Sequence, residues 1–309
     1  MEFKHEPVLL HEVLEWLAPA PGGIFADGTL GGGGHSEQII RRIGETGCHY
    51  GIDRDEDALT AATERLRGYT AFHAIHGNFH DVRELLPEGV MLDGGLLDLG
   101  VSSYQLDTPE RGFSYHEEAP LDMRMDRSSG ETAAQWLARC DERTIASALY
   151  DYGDEKWAAR IAKIIKERQQ KAPILTTTDL VSCVDAAIPK AVRKKDDGHP
   201  ARRTFQAIRI AVNDELGSVE KVMADAVECL NPGGRLAVIT FHSLEDRIVK
   251  NGMTEAAKGC TCPPNFPVCV CGKKPKVKLI SRKPIVASQE ELDANPRSRS
   301  AKLRVCEKL

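Results

Sequence analysis

The sequence predicts an α/β fold in which a parallel sheet with helices on both faces is interrupted by a helical insertion. Short apolar runs alternate with helical patterns through the first hundred residues, which is typical of a parallel sheet. Strand patterns then stop near residue 109 and return after residue 203. We therefore predict a sheet domain built from residues 1–106 and 204–309, with residues 107–203 as the insertion.

The individual elements follow from residue periodicity and from turn residues. Apolar runs predict strands at 24–27, 49–53, 71–75, 95–99, 235–241, 276–280 and 302–306. Helical patterns cover 36–42, 55–67, 132–138, 142–149, 155–170, 178–187 and 204–230. The last of these ends at an Asn-Pro-Gly-Gly stop signal, which indicates one long helix before the fifth strand.

Composition excludes several classes of protein. The chain is 41% hydrophobic and 28% charged, as globular proteins are. Its N-terminus has no basic segment leading into an apolar core, as a signal peptide would. The longest apolar runs, such as 235–241, are too short to cross a bilayer. We therefore expect a soluble, cytoplasmic protein with no membrane partner.

Charge is distributed unevenly along a chain whose net charge is −5. Residues 190–209 carry seven basic side chains against two acidic ones, and residues 273–309 carry eleven against four. Two basic segments on an acidic body suggest a local phosphate-binding surface. The alternative is that both segments are ordinary solvated faces.

A glycine-rich turn between the first strand and the first core helix indicates a ligand site. Four glycines, 31–34, allow positive φ angles and close approach of a ligand to the backbone. The helix start then offers N–H groups to a polar or negative group. Asp53, at the tip of the second strand, can accept both hydroxyls of a ribose. The Gly-x-Gly-x-x-Gly spacing of dinucleotide enzymes is not met, because Ser36 occupies its third position, so adenosine without a pyrophosphate fits better and S-adenosylmethionine is the expected ligand.

The fourth strand ends at Asp98, where ligands of such sheets bind. The alternative for Asp98 is a turn or helix-capping role.

Around these residues the sequence resembles a known family, the bacterial 16S rRNA cytosine-N4 methyltransferases of the RsmH (MraW) type. The matching stretches run in order through most of the chain. They are His5-Glu-Pro-Val-Leu-Leu, Asp27-Gly-Thr-Leu-Gly-Gly-Gly-Gly-His-Ser, Gly51-Ile-Asp-Arg-Asp, His76-Gly-Asn-Phe, Leu97-Asp-Leu-Gly-Val-Ser-Ser-Tyr-Gln-Leu-Asp, Arg111-Gly-Phe-Ser, Pro120-Leu-Asp-Met-Arg-Met-Asp, Thr204-Phe-Gln-Ala-Ile-Arg-Ile, Phe241-His-Ser-Leu-Glu-Asp-Arg-Ile-Val-Lys and Asn295-Pro-Arg-Ser-Arg-Ser.

The resemblance implies a Rossmann-like class I methyltransferase core whose helical insertion helps to recognise rRNA. Its expected target is a decoding-centre cytidine of 16S rRNA in the small ribosomal subunit. Many amino-group methyltransferases carry Asp-Pro-Pro-Tyr at the fourth strand, whereas this chain has Asp-Leu-Gly-Val, so the residue that stacks on the base stays unassigned. The cofactor contacts that the resemblance implies are Gly33, Gly34, His35, Asp53, Phe79, Asp98 and Gln105.

A cytosine amino group needs help because its lone pair is delocalised into the ring. Asp98 and the carbonyl of Leu99 could accept its hydrogens and turn the nitrogen toward a sulfonium methyl, so that positioning supplies much of the rate. The base would have to be unstacked or flipped out. His242 either lines the target pocket as a catalytic residue or is structural. Ser243 is expected to cap the following helix.

Two further groups of residues carry alternatives. Arg202, Arg203 and Arg209, near the basic Arg193, Lys194 and Lys195, either bind RNA phosphates or pair with the acidic body. Cys260, Cys262, Cys269 and Cys271 provide enough thiols for a structural zinc ion, although Cys-x-Cys pairs are less usual than Cys-x-x-Cys. A homodimer is kept among the expected assemblies.

Three functions therefore remain after the sequence has been considered. They are an rRNA amino methyltransferase, a methyltransferase that acts on DNA or a small molecule, and an RNA-binding or assembly factor without catalysis. The basic segments favour a large anionic substrate. The glycine turn together with Asp53 and Asp98 favours catalysis, so we expect the first of the three.

Overall fold

A computed structural model describes residues 7–190, 198–260, 262, 268 and 271–309. The chain forms two compact units. The first comprises Met1–Gly100 and Leu216–Leu309, and the second comprises Val101–Glu215. Among the described residues, no helix is long and apolar enough to cross a membrane.

The first unit is built on a seven-stranded sheet with the strand order β3-β2-β1-β4-β5-β7-β6. Strands β1 to β5 are parallel to one another, and β7 runs antiparallel between β5 and β6. This order of the parallel strands is that of a Rossmann-like sheet, which confirms the predicted fold class. The strands are β1 Ile24–Asp27, β2 Cys48–Asp53, β3 Phe72–His76, β4 Leu92–Asp98, β5 Leu230–Thr240, β6 Val277–Leu279 and β7 Lys302–Lys308.

Some α-helices of the described residues belong to the unit that contains this sheet, and the others form the second unit. Helices α5 to α10 lie in the second unit, and the others lie in the first except that α11 begins one residue before the boundary. They are α1 Leu10–Leu17, α2 Gly34–Ile43, α3 Glu56–Leu66, α4 Val82–Leu85, α5 Ser103–Asp107, α6 Ala133–Arg139, α7 Glu142–Gly153, α8 Ala158–Gln169, α9 Thr177–Ala187, α10 Arg202–Asn213, α11 Glu215–Glu228, α12 Ser243–Ala256 and α13 Gln289–Ala294.

Both faces of the sheet are buried, which explains why its central strands are mostly apolar. Leu96 in β4 belongs to the core on the side of α1 and α2, whereas the next residue, Leu97, belongs to the core on the side of α11 and α12. Successive side chains of a strand point to opposite faces, so each residue of such a strand needs an apolar side chain. The layers hold the carboxyl ends of β1, β2 and β4 at one edge.

The second unit has a core of its own. Its helices bury apolar side chains that include Leu137, Ile145, Ile161 and Leu180. The guanidinium of Arg111 is also buried there, and its Nη2 donates to the carbonyls of Arg124 (3.1 Å) and Met125 (3.0 Å). These two carbonyl dipoles stabilise the buried positive charge of Arg111.

The predicted single helix over 204–230 is wrong, because the chain forms two helices there. Asp214, between α10 and α11, has a left-handed backbone with φ 46°. The side chain of Asn213 explains the break, since it donates to the carbonyl of Met123 (2.7 Å) and accepts from the N–H of Met125 (2.8 Å). The second unit, Val101–Glu215, includes α10, and the insertion bounds 107–203 stay a prediction.

Candidate active site

The glycine turn connects β1 to α2 through a tight backbone path. Gly33 has φ +74°, and its N–H donates to the carbonyl of Leu30 at 2.8 Å. A Cβ added at Gly33 would lie 3.2 Å from Leu66 Cδ1 and 3.3 Å from Ala62 Cβ. At Gly32, by contrast, an added Cβ would meet nothing within 4 Å. The turn is therefore packed against α3 on one side and open on the other.

This difference predicts a matched pair of substitutions. Gly33→Ala should lower the free energy of unfolding by roughly 1–3 kcal/mol, because an L-residue is strained at that φ and its Cβ would crowd α3. Gly32→Ala should change it by less than about 0.5 kcal/mol, as at other open surface positions. Urea unfolding of both variants measures the difference. Equal stabilities of the two variants would contradict the packing described for Gly33.

Asp27, at the end of β1, holds the glycine turn in place through hydrogen bonds. It is only 1% exposed, and it accepts hydrogen bonds from the Ser36 hydroxyl (2.8 Å) and the Thr29 N–H (3.0 Å). The Thr29 hydroxyl in turn accepts from the N–H of Asp98 at 2.6 Å. Burial raises the pKa of Asp27 to about 6, although the bond from Ser36 opposes the shift. Asp27 thus links the ends of β1 and β4.

Asp53, predicted to bind ribose, lies at the end of β2 with a fixed orientation. Its Oδ2 accepts from the N–H of Gly31 (2.8 Å), and its Oδ1 accepts from the N–H of Asp55 (2.9 Å). Burial raises the pKa of Asp53, while these two backbone bonds lower it. Each carboxylate oxygen has a second acceptor position, so both could also receive hydroxyl groups of a ligand.

His35, in the first turn of α2, has a tautomer that its neighbour determines. Its Nε2 lies 2.9 Å from the carbonyl oxygen of Val8. A carbonyl only accepts hydrogen bonds, so Nε2 carries the proton and Nδ1 of the neutral ring does not. Nδ1 lies 3.8 Å from Oδ2 of Asp98. Gly34 is equally constrained, since a Cβ there would lie 2.6 Å from Pro7 Cγ.

Asp98 closes β4 beside these residues and is the most perturbed acid of the group. Burial, followed by the charges of Asp27 and Glu245, raises the pKa of Asp98 to about 8. Its side chain keeps 26% of its surface exposed, through which a ligand can reach it. Within the described residues, Oδ1 is covered and has no hydrogen-bond partner. A covered carboxylate oxygen without a hydrogen-bond donor disfavours the charged form, in keeping with the raised pKa of Asp98.

His242 follows β5 and begins α12, and the predicted capping role of Ser243 is wrong by one residue. His242 is the N-cap, and it forms a capping box with Glu245. Glu245 accepts from the N–H groups of Phe241 (3.0 Å) and His242 (3.3 Å). The capping pattern is shifted because the His242 ring takes the place of the hydroxyl that the Ser-x-x-Asp pattern predicts. The structural interpretation of His242 is thus observed, and its catalytic role stays a prediction.

The remaining predicted cofactor contacts fall in different parts of the molecule. Phe79 follows β3 in a 3-10 helix, and its Cβ lies 2.9 Å from where a Cβ on Gly28 would be. Gln105 belongs to the second unit. There its Oε1 accepts from the N–H of Ser102 (2.9 Å) in the capping box of α5. The first unit therefore brings together Gly33, Gly34, His35, Asp53 and Asp98, and the contact of Gln105 with a cofactor stays a prediction.

The basic segments divide into paired and exposed side chains. Arg209 is held by Glu215 in a two-pronged ion pair (2.8 Å and 2.8 Å), which supports the structural alternative for it. Arg202 is exposed, and Arg203 lies 3.5 Å from the carbonyl of Asp154. In the second segment most basic residues pair with acidic ones, as Arg304 does with Asp246. Arg193, Lys194 and Lys195 lie outside the described residues.

Three of the four clustered cysteines come together in the loop between α12 and β6. The Sγ atoms of Cys260, Cys262 and Cys271 all lie within 4.8 Å of one another. Cys269 lies outside the described residues, so its predicted role as a ligand stays a prediction. The cluster is a candidate metal centre, separate from the strand ends described above.

The sequence profile of the MraW methylase family matches residues 2–309. The chain belongs to the MraW methylase family. It is 54% identical over 314 residues to the ribosomal RNA small subunit methyltransferase H of Heliobacterium mobile, covering 100% of both chains. The protein of the same name from Trichlorobacter lovleyi is 54% identical over 311 residues, covering 100% of this chain and 99% of the relative.

Some solved structures resemble the fold at low sequence identity. The crystal structure of an rRNA methylase from Streptococcus thermophilus aligns over 100% of this chain and 99% of that one, at a TM-score of 0.43 and 11% identity. A likeness this weak supports no conclusion by itself. Family membership rests on the full-length sequence match, and the strand order places the first unit among Rossmann-like class I methyltransferase cores.

Sequence reasoning missed Asp27, which holds the turn together. Its signal was present, because Asp27 ends a buried strand directly before the glycine run. The roles of Thr29 and Ser36 were missed as well, since a single hydroxyl in a turn carries no pattern of its own. Glu245 was missed too, because it stands two residues after Ser243, the predicted N-cap, whereas a capping box needs three.

Proposed function

We propose that this protein transfers a methyl group from S-adenosylmethionine to the N4 amino group of a decoding-centre cytidine in 16S rRNA. The observation that carries the proposal is Asp98, a carboxyl group at the end of β4 that keeps 26% of its side-chain surface exposed beside the glycine turn. The full-length match to relatives named ribosomal RNA small subunit methyltransferase H supports the substrate class.

The edge of the sheet fits S-adenosylmethionine. Asp53 is oriented by two backbone N–H groups and keeps acceptor capacity for the ribose hydroxyls. The turn at Gly32 is open, so a ligand can approach the backbone closely. The first N–H groups of α2, from Gly34 onward, suit the carboxylate of the methionine part. When bound, S-adenosylmethionine supplies a methyl group on a positively charged sulfur.

Asp98 performs two tasks in the proposed reaction. As a carboxylate it accepts a hydrogen of the cytosine amino group and turns the nitrogen toward the methyl group, with the Leu99 carbonyl as the proposed second acceptor. The methylated nitrogen must then lose a proton. A carboxyl group with a pKa of about 8 is mostly protonated at neutral pH, so Asp98 can take that proton only after it has been ionised. A positive charge beside Asp98 favours its ionised form before the reaction.

Product analysis tests the proposed activity. Small ribosomal subunits from cells that lack this protein are incubated with the purified protein and S-adenosylmethionine that carries a labelled methyl group. Mass spectrometry of the digested nucleosides should show N4-methylcytidine as the labelled product, and mapping should place it in the decoding centre. DNA of the same sequence is the control. Label on the cytosine ring carbon, or on the DNA alone, would contradict the proposal.

The second unit is proposed to hold the rRNA through Arg202 and Arg203. Replacing both with Ala should weaken binding to small-subunit rRNA and flatten its log–log salt dependence by up to about two units, at roughly 0.9 per lost phosphate contact. The control is Arg67→Ala, which removes an exposed arginine that pairs with Glu64 in the first unit. Filter binding over a salt series gives both slopes. An unchanged slope in the double variant would show that these arginines bind no phosphate.

The proposed reaction assigns no role to Cys260, Cys262 or Cys271.

A further inference from the structure

The thiols of Cys260, Cys262 and Cys271 converge without an apolar core to bring them together. All three lie in the loop between α12 and β6, where Cys260 and Cys271 are exposed and Cys262 is half-buried. The N–H of Cys262 also points at Cys260 Sγ, at 3.4 Å. An N–H directed at sulfur stabilises the thiolate, which is the form that binds metals.

The spacing of the sulfur atoms matches a tetrahedral metal site. A zinc ion bound to sulfur at about 2.3 Å in tetrahedral geometry places its sulfur ligands about 3.8 Å apart. The Sγ atoms of Cys260 and Cys271 are 3.7 Å apart. That distance is too long for a disulfide, whose S–S bond is about 2.05 Å. One sulfur pair thus has the spacing of ligands around one ion, and the third sulfur lies within 4.8 Å of both.

A bound metal ion would hold together a loop that packing does little to fix. Its two ends are joined at the base, where the N–H of Lys276 donates to the carbonyl of Ala256 (2.8 Å) and Glu255 pairs with Lys258 and Lys273. Beyond that base the described residues form no helix or strand until β6. Val268, an apolar residue of the loop, is 69% exposed, so packing does not hold its side chain. Long loops without secondary structure are uncommon, and a metal can supply what packing does not.

We infer that Cys260, Cys262 and Cys271 bind one structural zinc ion. Three soft thiolate ligands select zinc over magnesium or calcium, which prefer oxygen. A donor beyond these three completes the tetrahedron. The ion fixes the path of the loop between α12 and β6 and leaves the candidate active site unchanged, so this inference goes beyond the proposed function.

Metal analysis of the full-length protein, purified under reducing conditions from zinc-supplemented cells, tests the inference. We expect about one equivalent of zinc, as for an occupied structural site. Cys262→Ser should reduce it at least about fivefold, because one thiolate of the site is lost. The matched control is Cys48→Ser, which removes a half-buried thiol in β2 and should leave the zinc content unchanged. Cobalt substitution should give an intense thiolate-to-cobalt absorption that weakens in Cys262→Ser and persists in Cys48→Ser.

The opposite outcomes are equally clear. Less than about a tenth of an equivalent of zinc in the wild-type protein would overturn the inference, since a structural site is filled. A zinc content that is the same in Cys262→Ser as in the wild type would place the ion elsewhere and overturn it too. Neither measurement depends on methyl transfer. Failure of the zinc site is therefore distinguishable from failure of the proposed function.

Discussion

Asp98→Ala is expected to abolish methyl transfer to small-subunit rRNA while leaving the fold intact. The substitution removes the acceptor that orients the amino group and the base that takes its proton. Loss of a general base costs about 10²–10⁴-fold, and loss of positioning adds to it, so a decrease of at least about 10³-fold is expected. Single-turnover methylation with labelled S-adenosylmethionine measures the rate, and circular dichroism confirms the fold.

A second substitution separates the two tasks of Asp98. Asp98→Asn keeps an oxygen acceptor of the same shape but cannot take a proton at neutral pH. If positioning supplies much of the rate, Asp98→Asn should keep measurable activity well above that of Asp98→Ala. An Asp98→Ala enzyme with wild-type rates would remove Asp98 from the chemistry, whatever the behaviour of the Asn variant.

Asp98→Asn is also expected to stabilise the protein at neutral and weakly alkaline pH. Burial, together with the charges of Asp27 and Glu245, raises the pKa of Asp98 to about 8, whereas an unfolded Asp has a pKa of about 3.9. Between these values the folded state binds the extra proton. The free energy of unfolding of the wild type therefore falls as pH rises through this window, by up to about 1.4 kcal/mol for each unit, while the uncharged Asn makes no such contribution.

Urea unfolding of both proteins from pH 5 to pH 9 measures the effect. The stability difference between Asp98→Asn and the wild type should widen as pH rises and level off above about pH 8. The titration of His49 does not affect this difference. Its ring is buried in β2 without hydrogen-bond partners among the described residues, and burial lowers its pKa to about 3. His49 therefore destabilises both proteins equally in acid and cancels in the difference. A difference that stays constant with pH would show that the pKa of Asp98 is not raised.

The sequence predicts the sheet well because the residue pattern that indicates a strand lies within the strand itself. The central strands β1 and β4 and the second half of β5 are mostly apolar runs, and burial on both faces favours that pattern. The same reasoning locates Asp53 and Asp98, since ligands meet the carboxyl ends of such strands. Both residues lie at those ends, with the glycine turn between them.

What the sequence does not predict depends on contacts between distant residues. The break at Asp214 follows from bonds between Asn213 and the segment near Met123, about 90 positions away. The hydrogen-bond network from Asp27 through Thr29 to Asp98 joins two strands, and no periodic pattern in the sequence indicates it. The pKa of Asp98 is of the same kind, because it results from burial and from two acids that are far away in the chain.

The sheet register has a consequence for how the chain folds. Asp98 in β4 pairs with Ile239 in β5, and the whole segment Val101–Glu215 is synthesised between them. During translation β4 therefore stays unpaired along the edge that β5 later covers. Unpaired strand edges of this kind promote aggregation. The helical unit has its own core and can fold in that interval. Pairing over so long a separation is slow, so the unit that carries the candidate active site should be the last to be completed.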